Sequence, residues 1–159
     1  MIDRLKKKDL YSILDYCVHN KDNDFYLTEQ NERKFFNSVS DIKKLFKCHC
    51  LFGSINEKGD VEGIAIIWKS LGNNIIRHYL KITAQNEKIG ERILKVLLWN
   101  FGHYELYIKI NKQNRLLTTL KIHGFKFAGD RGKEILLKKD KFLRPEKQQS
   151  QKDINDGSE

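Results

Sequence analysis

Residues 75–101, IIRHYLKITAQNEKIGERILKVLLWNF, decide the fold. Through residue 83, Ile76, Leu80 and Ile82 alternate with Arg77, Tyr79, Lys81 and Thr83, the period of two of a β-strand, and His78 interrupts the apolar face. A polar turn, residues 84–88, follows. The spacing then becomes helical: Ile89, Ile93, Leu94, Leu97, Leu98 and Phe101 fall on one stripe. Glu87 and Glu91 suit the positive end of a helix dipole, Glu91 and Lys95 form an i,i+4 pair, and Gly102 is a stop signal. A strand entering a helix through a tight turn leaves the first helical N–H groups without partners. Those donors and the dipole make an anion site of the kind used for phosphate.

Working outward, residues 49–56 and 61–70 read as strands. Between them Glu57-Lys58-Gly59-Asp60 reads as a hairpin turn, with glycine available for positive φ. Leu71-Gly72-Asn73-Asn74 reads as the next turn. Downstream, residues 105–110 alternate as a strand, and residues 114–122 form a helix with Leu116, Leu117 and Leu120 inward. That helix closes at His123-Gly124, glycine standing where a C′ residue belongs. Residues 125–128 and 134–139 are strands around the turn Gly129-Asp130-Arg131-Gly132. Upstream, residues 1–5 suggest a short strand. Asp9 is a candidate cap for a helix carrying Leu10, Ile13, Leu14, Cys17 and Val18. After a loop at residues 20–24, a helix is expected over residues 29–37 with Phe35 and Phe36 inward, and a shorter one over 41–47 capped by Ser40.

A chain of 159 residues with 32% charged residues and a formal charge of +9 is one domain with an ordinary core and a basic surface. Such a balance favours an anionic partner without saying which. Lys6-Lys7-Lys8 and Lys138-Lys139 lack interleaved aromatics for base stacking, which disfavours nucleic acid and favours solvated surface. No apolar window approaches the ~18 residues of a membrane span, and the first eight residues lack the apolar core of a signal peptide. With three cysteines, an odd number, this points to free thiols in a reducing, cytoplasmic compartment. Cys48-His49-Cys50 has no second cluster to complete a zinc site, so no metal is expected. Residues 145–159 hold one apolar residue, Ile154, and read as a disordered polar tail after a folded domain over 1–144.

The order is a strand, two or three helices, three antiparallel strands, helix, strand, helix and two strands. Together with Gln85-Asn86-Glu87-Lys88-Ile89-Gly90 and Asn111-Lys112-Gln113-Asn114-Arg115 … His123-Gly124-Phe125, it resembles the GNAT superfamily of acyl-CoA-dependent N-acyltransferases. Gln85 and Gly90 match the family's turn signature. Lys88 stands where the first small residue usually lies, and Leu120 where a tyrosine is frequent. The resemblance implies a single α/β (α+β) domain with a mixed, mostly antiparallel sheet of six to seven strands. About four helices flank the sheet, and its two central strands splay around a pantetheine arm.

It further implies acetyl-CoA as co-substrate. Backbone groups of Leu80, Lys81 and Ile82 would pair with the pantetheine, and N–H groups of Gln85, Asn86, Glu87, Lys88, Ile89 and Gly90 would hold the pyrophosphate. Asn111 or Asn114 would also reach the coenzyme. The acceptor would be a small-molecule or protein amine. Acyl transfer needs a deprotonated amine and a proton for the leaving thiolate. The central strand has no carboxylate, so His78 is the candidate base, imidazole titrating near neutrality, with a hydrogen-bonded structural histidine as the other reading. Tyr79, Tyr104 and Tyr107 are candidate proton donors by residue type, with packing as the other reading. Lys88 and Leu120 keep open a second function: a GNAT-fold binding or structural module for an anionic partner, without catalysis.

Overall fold

The computed structural model describes residues 1–20, 26–29, 32–35, 38–48 and 50–142. Its elements are β1 (Ile2–Arg4), α1 (Leu10–His19), β2 (Tyr26–Glu29), β3 (Glu32–Phe35), α2 (Val39–Cys48), β4 (Cys50–Ile55), β5 (Val61–Gly72), β6 (Ile75–Ala84), α3 (Glu87–Phe101), β7 (Leu106–Asn111), α4 (Leu117–Ile122), β8 (Lys126–Arg131) and β9 (Glu134–Lys139). Seven strands form one sheet in the order β1-β4-β5-β6-β7-β9-β8, and β2 with β3 forms a separate hairpin. Every neighbouring pair in the large sheet is antiparallel except β6 with β7. This is the mixed, mostly antiparallel sheet and four-helix complement expected from the sequence.

The two faces of the sheet carry separate cores. On one, the α3 stripe (Ile89, Ile93, Leu94, Leu97, Leu98) packs with Leu80 and Ile82 of β6, Leu106, Ile108 and Ile110 of β7, and Ile135 and Leu137 of β9. Leu116, Leu120 and Phe125 close that layer. On the other, Leu10, Ile13, Tyr16 and Cys17 of α1 and Ile42 and Leu45 of α2 pack on Leu51, Ile64 and Ile66. Apolar burial of this kind contributes about 1.5–3 kcal/mol per large side chain before entropy is charged against it. Strand β5 serves both cores: Ala65 and Ile67 face α3, and Ile64 and Ile66 face α1.

Several boundaries differ from the sequence reading for local reasons. The helix expected over residues 29–37 is absent where the chain is described; β2 and β3 pair there, with Glu29 opposite Glu32. Gln30 and Asn31 alone separate those strands, a hairpin spacing, and Tyr26-Leu27-Thr28 has the β-branched and aromatic character strands favour. Phe36 and Asn37 lie outside the described residues, as do the loop positions 21–25, His49 and the tail from 143 onward. Helix α2 starts two residues early because Ser38, not Ser40, caps it: the Asp41 N–H donates to Ser38 Oγ at 3.3 Å. Asp9 stands at the N-cap of α1, yet its carboxylate accepts from the Lys6 N–H at 2.8 Å and closes the preceding 3-10 turn instead. Val18 is exposed, and Tyr16 takes its place in the core.

The β5–β6 turn is tighter than expected. Asn73 and Asn74 both have positive φ (51° and 63°), so β5 continues through Gly72 before a two-residue primed turn. Strand β8 likewise runs on to Arg131, with a bulge between Phe127 and Gly129, and the turn shifts to Gly132 at φ +80°. Helix α4 is only Leu117–Ile122, because the Asn114 side chain accepts the Leu116 N–H at 2.8 Å and makes a turn of the preceding residues.

One buried polar contact ties α1 to the far end of β6. The Tyr16 hydroxyl and Thr83 Oγ1 lie 3.0 Å apart in a buried setting, and burial pushes the phenol up to about 12, so it stays protonated. Tyr16→Phe should lower the unfolding free energy by about 1–2 kcal/mol in a urea titration, since it strands the buried threonine hydroxyl.

Candidate functional site

The parallel pairing of β6 with β7 covers three residue pairs, His78 with Leu106, Tyr79 with Tyr107 and Leu80 with Ile108. Beyond Leu80 and Ile108 the strands part. Each keeps its other neighbour to the end: β6 stays paired with β5 as far as Ala84, and β7 with β9 as far as Asn111. The sheet therefore opens as a wedge between two intact halves. Its mouth lies beside the N-terminus of α3, lined by Ile82, Thr83, Ala84, Asn86, Glu87, Asn114, Arg115 and Leu116 around a recess of about 20 Å³.

Residues 85–90 sit at that mouth, and half of their amides are spent internally. The Gln85 N–H donates to the Glu62 carbonyl at 3.0 Å. Asn86 is the N-cap: its Oδ1 accepts the Ile89 N–H at 2.9 Å, and its carbonyl accepts the Gly90 N–H at 3.1 Å. The amides of Asn86, Glu87 and Lys88 have no hydrogen-bond partner among the described residues. Gly90 is buried, and a Cβ there would come within 2.5 Å of Leu116 Cδ2. The glycine thus lets the Leu116 turn close against α3. Lys88 is exposed beside the mouth.

Leu80, Lys81 and Ile82 line the point where the strands part, and all three are buried. Asn111 and Asn114 stand on the β7–α4 connection, where their Oδ1 atoms accept the Gln113 and Leu116 N–H groups. Leu120 is 1% exposed within the core and offers no proton. Arg115 and Thr83 also line the mouth and were not among the sequence-derived candidates. Thr83 alternates with apolar residues and reads as ordinary strand surface until Tyr16 is brought to it. The signal for Arg115 was its place in the Asn-Arg pair of the turn motif.

His78 and Tyr79 are neighbours in the chain and therefore face opposite sides of the sheet. His78 stacks against Tyr104, ring centroids 4.2 Å apart and planes inclined by 21°. Its Nε2 is buried with no hydrogen-bond partner. Burial first, then the charges of Lys69 and His103, hold its imidazole below the ordinary histidine range. It is a neutral, stacked ring one strand step beneath the opening. Tyr79 stacks between Trp68 and Tyr107 at 5.8 and 5.6 Å. The structure does not bring the two candidates together.

Among the described residues no set of His, Cys, Asp and Glu side chains is arranged to hold a metal ion, and no helix is long and apolar enough to cross a membrane.

No family model matches the chain, and no curated protein matches it at a significant level. Solved structures do. A histone acetyltransferase-related protein from Corynebacterium glutamicum superposes with a TM-score of 0.67 at 12% identity, over 91% of this chain and 98% of that one. A ribosomal-protein-alanine N-acetyltransferase from Brucella melitensis gives 0.67 at 16% identity, over 88% and 99%. The PaiA N-acetyltransferase from Thermoplasma acidophilum, solved in complex with coenzyme A, gives 0.58 at 14% identity, over 88% and 98%. The fold is that of the GNAT acyltransferases.

The depressed titration of His78 has a definite sign. A histidine whose folded pKa lies below its unfolded value of about 6.5 stabilises the fold above that pH and loses the contribution as pH falls through the folded value. His78→Phe should keep the stack on Tyr104 and flatten the acid side of the stability curve below about pH 6.5, read by urea midpoints across pH. A second variant, Asn86→Ala, should cost about 1 kcal/mol by removing the cap of α3, read by the same titration.

Proposed function

We propose that the chain is an N-acetyltransferase that takes an acetyl group from acetyl-CoA and delivers it to an amine, on a small molecule or a protein. The observation that supports this most is the three-residue limit on β6–β7 pairing, next to a helix start with partnerless amides. The residues fit the coenzyme. A longer pairing would use up backbone groups of β6 beyond Leu80 on the β7 side; parting opens that edge to a pantetheine arm. The amides of Asn86, Glu87 and Lys88 with the α3 dipole suit a diphosphate, Arg115 adds positive charge at the mouth, and the exposed Lys88 follows Glu87 in the chain. In this reading Gln85, Ile89 and Gly90 shape the cradle through their internal bonds, and Asn111 and Asn114 hold the opposite lip.

When bound, the coenzyme supplies an acetyl group already activated as a thioester. Transfer forms a C–N bond to the amine and breaks the C–S bond; the amine loses one proton and the thiolate gains one. The protein's part is placement in a site partly shielded from water, where oriented backbone N–H groups polarise a carbonyl. Tyr79, one residue before Leu80 on the side away from α3, is assigned as the proton donor to the thiolate. His78, neutral and on the α3 side, is assigned as acceptor of the amine's proton through solvent in the gap.

Acetyl-CoA should raise the thermal midpoint of the full chain, because it binds the native state alone. Lys88→Glu should weaken that shift severalfold by placing a negative charge beside the diphosphate. No shift at millimolar acetyl-CoA would reject the enzyme. Binding without turnover of any amine would favour the non-catalytic module that Lys88 and Leu120 left open.

A further inference from the structure

Among the described residues, α1 and α2 cover only part of the sheet face turned away from α3. The core cluster of that face, under α1 and α2, contains no residue of β6, β7, β8 or β9. Strand alternation brings Arg77, Tyr79 and Lys81 of β6, Tyr107 and Lys109 of β7, and Lys138 of β9 to this face. The rings of Trp68, Tyr79 and Tyr107 run side by side across it as a floor. Above the floor sit cations: the Arg77 guanidinium 4.9 Å from the Tyr107 centroid, Lys138 Nζ at 6.0 Å from the same ring, and Lys109 Nζ 5.9 Å from Tyr79. Lys138 is offset by Glu105 and Asp140, each at 3.6 Å. Arg77 and Lys109 have no carboxylate at ion-pair distance among the described residues. Beside Arg77 the face opens into a cleft of about 130 Å³ lined by Ser70, Gly72, Asn73, Ile75, Arg77 and Tyr79.

These features lead along one strand to the wedge. Tyr79 bridges the cleft and the last paired residues, and Arg77 lies three residues before Leu80, roughly 10 Å along β6. Glu105 acts on Arg77 only from beyond ion-pair distance, and an exposed guanidinium beside a small cleft suits a carboxylate, which it binds through two parallel N–H donors. A polyamine or a lysine-rich segment would instead meet like charge from Arg77 and Lys109. Resting on the acyltransferase reading, we propose that the acceptor is an amine that also carries a carboxylate. The carboxylate binds Arg77 in the cleft, with Lys109 adding attraction, and the chain between the two groups lies on Tyr79 so that the amine reaches the point where β6 and β7 part.

Calorimetric titration of the full chain tests this without needing turnover. The probes are 6-aminohexanoate, its uncharged amide 6-aminohexanamide, and spermidine. The acid should bind about tenfold more tightly than the amide, and spermidine should not bind. Arg77→Gln, a change at an exposed side chain, should erase the acid's advantage while the thermal midpoint stays put. A peptide ending in lysine, whose carboxylate and Nζ are separated as in the free acid, distinguishes a protein acceptor from a small molecule; binding of either probe supports the proposal. Equal binding of acid and amide, an advantage that survives Arg77→Gln, or no binding of any carboxylate probe would overturn it. Titration of acetyl-CoA into the same preparation is a separate readout. Loss of coenzyme binding would remove the enzyme reading, whereas loss of carboxylate discrimination alone would remove only this choice of acceptor.

Discussion

The two halves of the sheet meet through a short stretch of backbone pairing and through one apolar core, shared by α3, Leu116, Leu120 and strands of both halves. Between β6 and β7 only three residue pairs are in register, and parallel pairing is slightly weaker per residue than antiparallel pairing. The joint is made instead by side chains: Ile93, Leu94 and Leu97 lie in one continuous core with Leu80 and Ile82 from one half and Leu106 and Ile108 from the other. Because an apolar contact is indifferent to backbone register, this core tolerates divergence of the strands beneath it. A ladder of hydrogen bonds would not. The wedge is therefore a consequence of joining the halves by packing.

That arrangement places competing demands on the start of α3. The helix must dock closely, and it must also present donors. The docking is served by Gly90, which leaves room for Leu116, and by Asn86, whose side chain and carbonyl take two amides of the first turn. The remaining donors belong to the residues at the very tip, Asn86, Glu87 and Lys88. A family-like small residue at position 88 would expose more backbone; the lysine replaces some of that approach with a mobile positive charge. Tyr16 adds support from the opposite layer by fixing Thr83, the last polar residue of β6 before the turn.

The faces of the sheet then divide the work. On the α3 side the chain is apolar; His78 stacks on Tyr104, and burial, then the charges of Lys69 and His103, hold its titration down. On the other side, past the cover of α1 and α2, aromatic rings and cations alternate along the same strands. A single residue step on β6 thus separates a neutral histidine from a tyrosine in a positive field. Any chemistry at the opening meets two different environments, one from each face.

Much of this was legible in the sequence. The change from period two to period 3.6 at residues 84–88 located β6, α3 and the anion-binding tip, because both periods are imposed by backbone geometry and show in apolar spacing alone. Glycines 59 and 124 marked ends that need positive φ. Residues 29–37 were misread because a short amphipathic segment fits either period, and pairing with residues 26–29 decides between them. Ser38 and Ser40 are equally plausible caps in the linear pattern, and the turn over residues 71–74 narrows to Asn73-Asn74 only once β5 and β6 pair through Gly72 and Ile75. What no linear pattern contains is which strands stop pairing. The extent of the wedge, the sharing of residues 85–90 between internal bonds and open donors, and the meeting of Arg77, Tyr79, Tyr107 and Lys109 all depend on contacts between segments about 30 residues apart. The sequence by itself determined the elements and their order, since those follow from local backbone preference. The tertiary structure decided where the sheet opens and what faces the opening, since only packing between distant segments sets how far β6 and β7 run together.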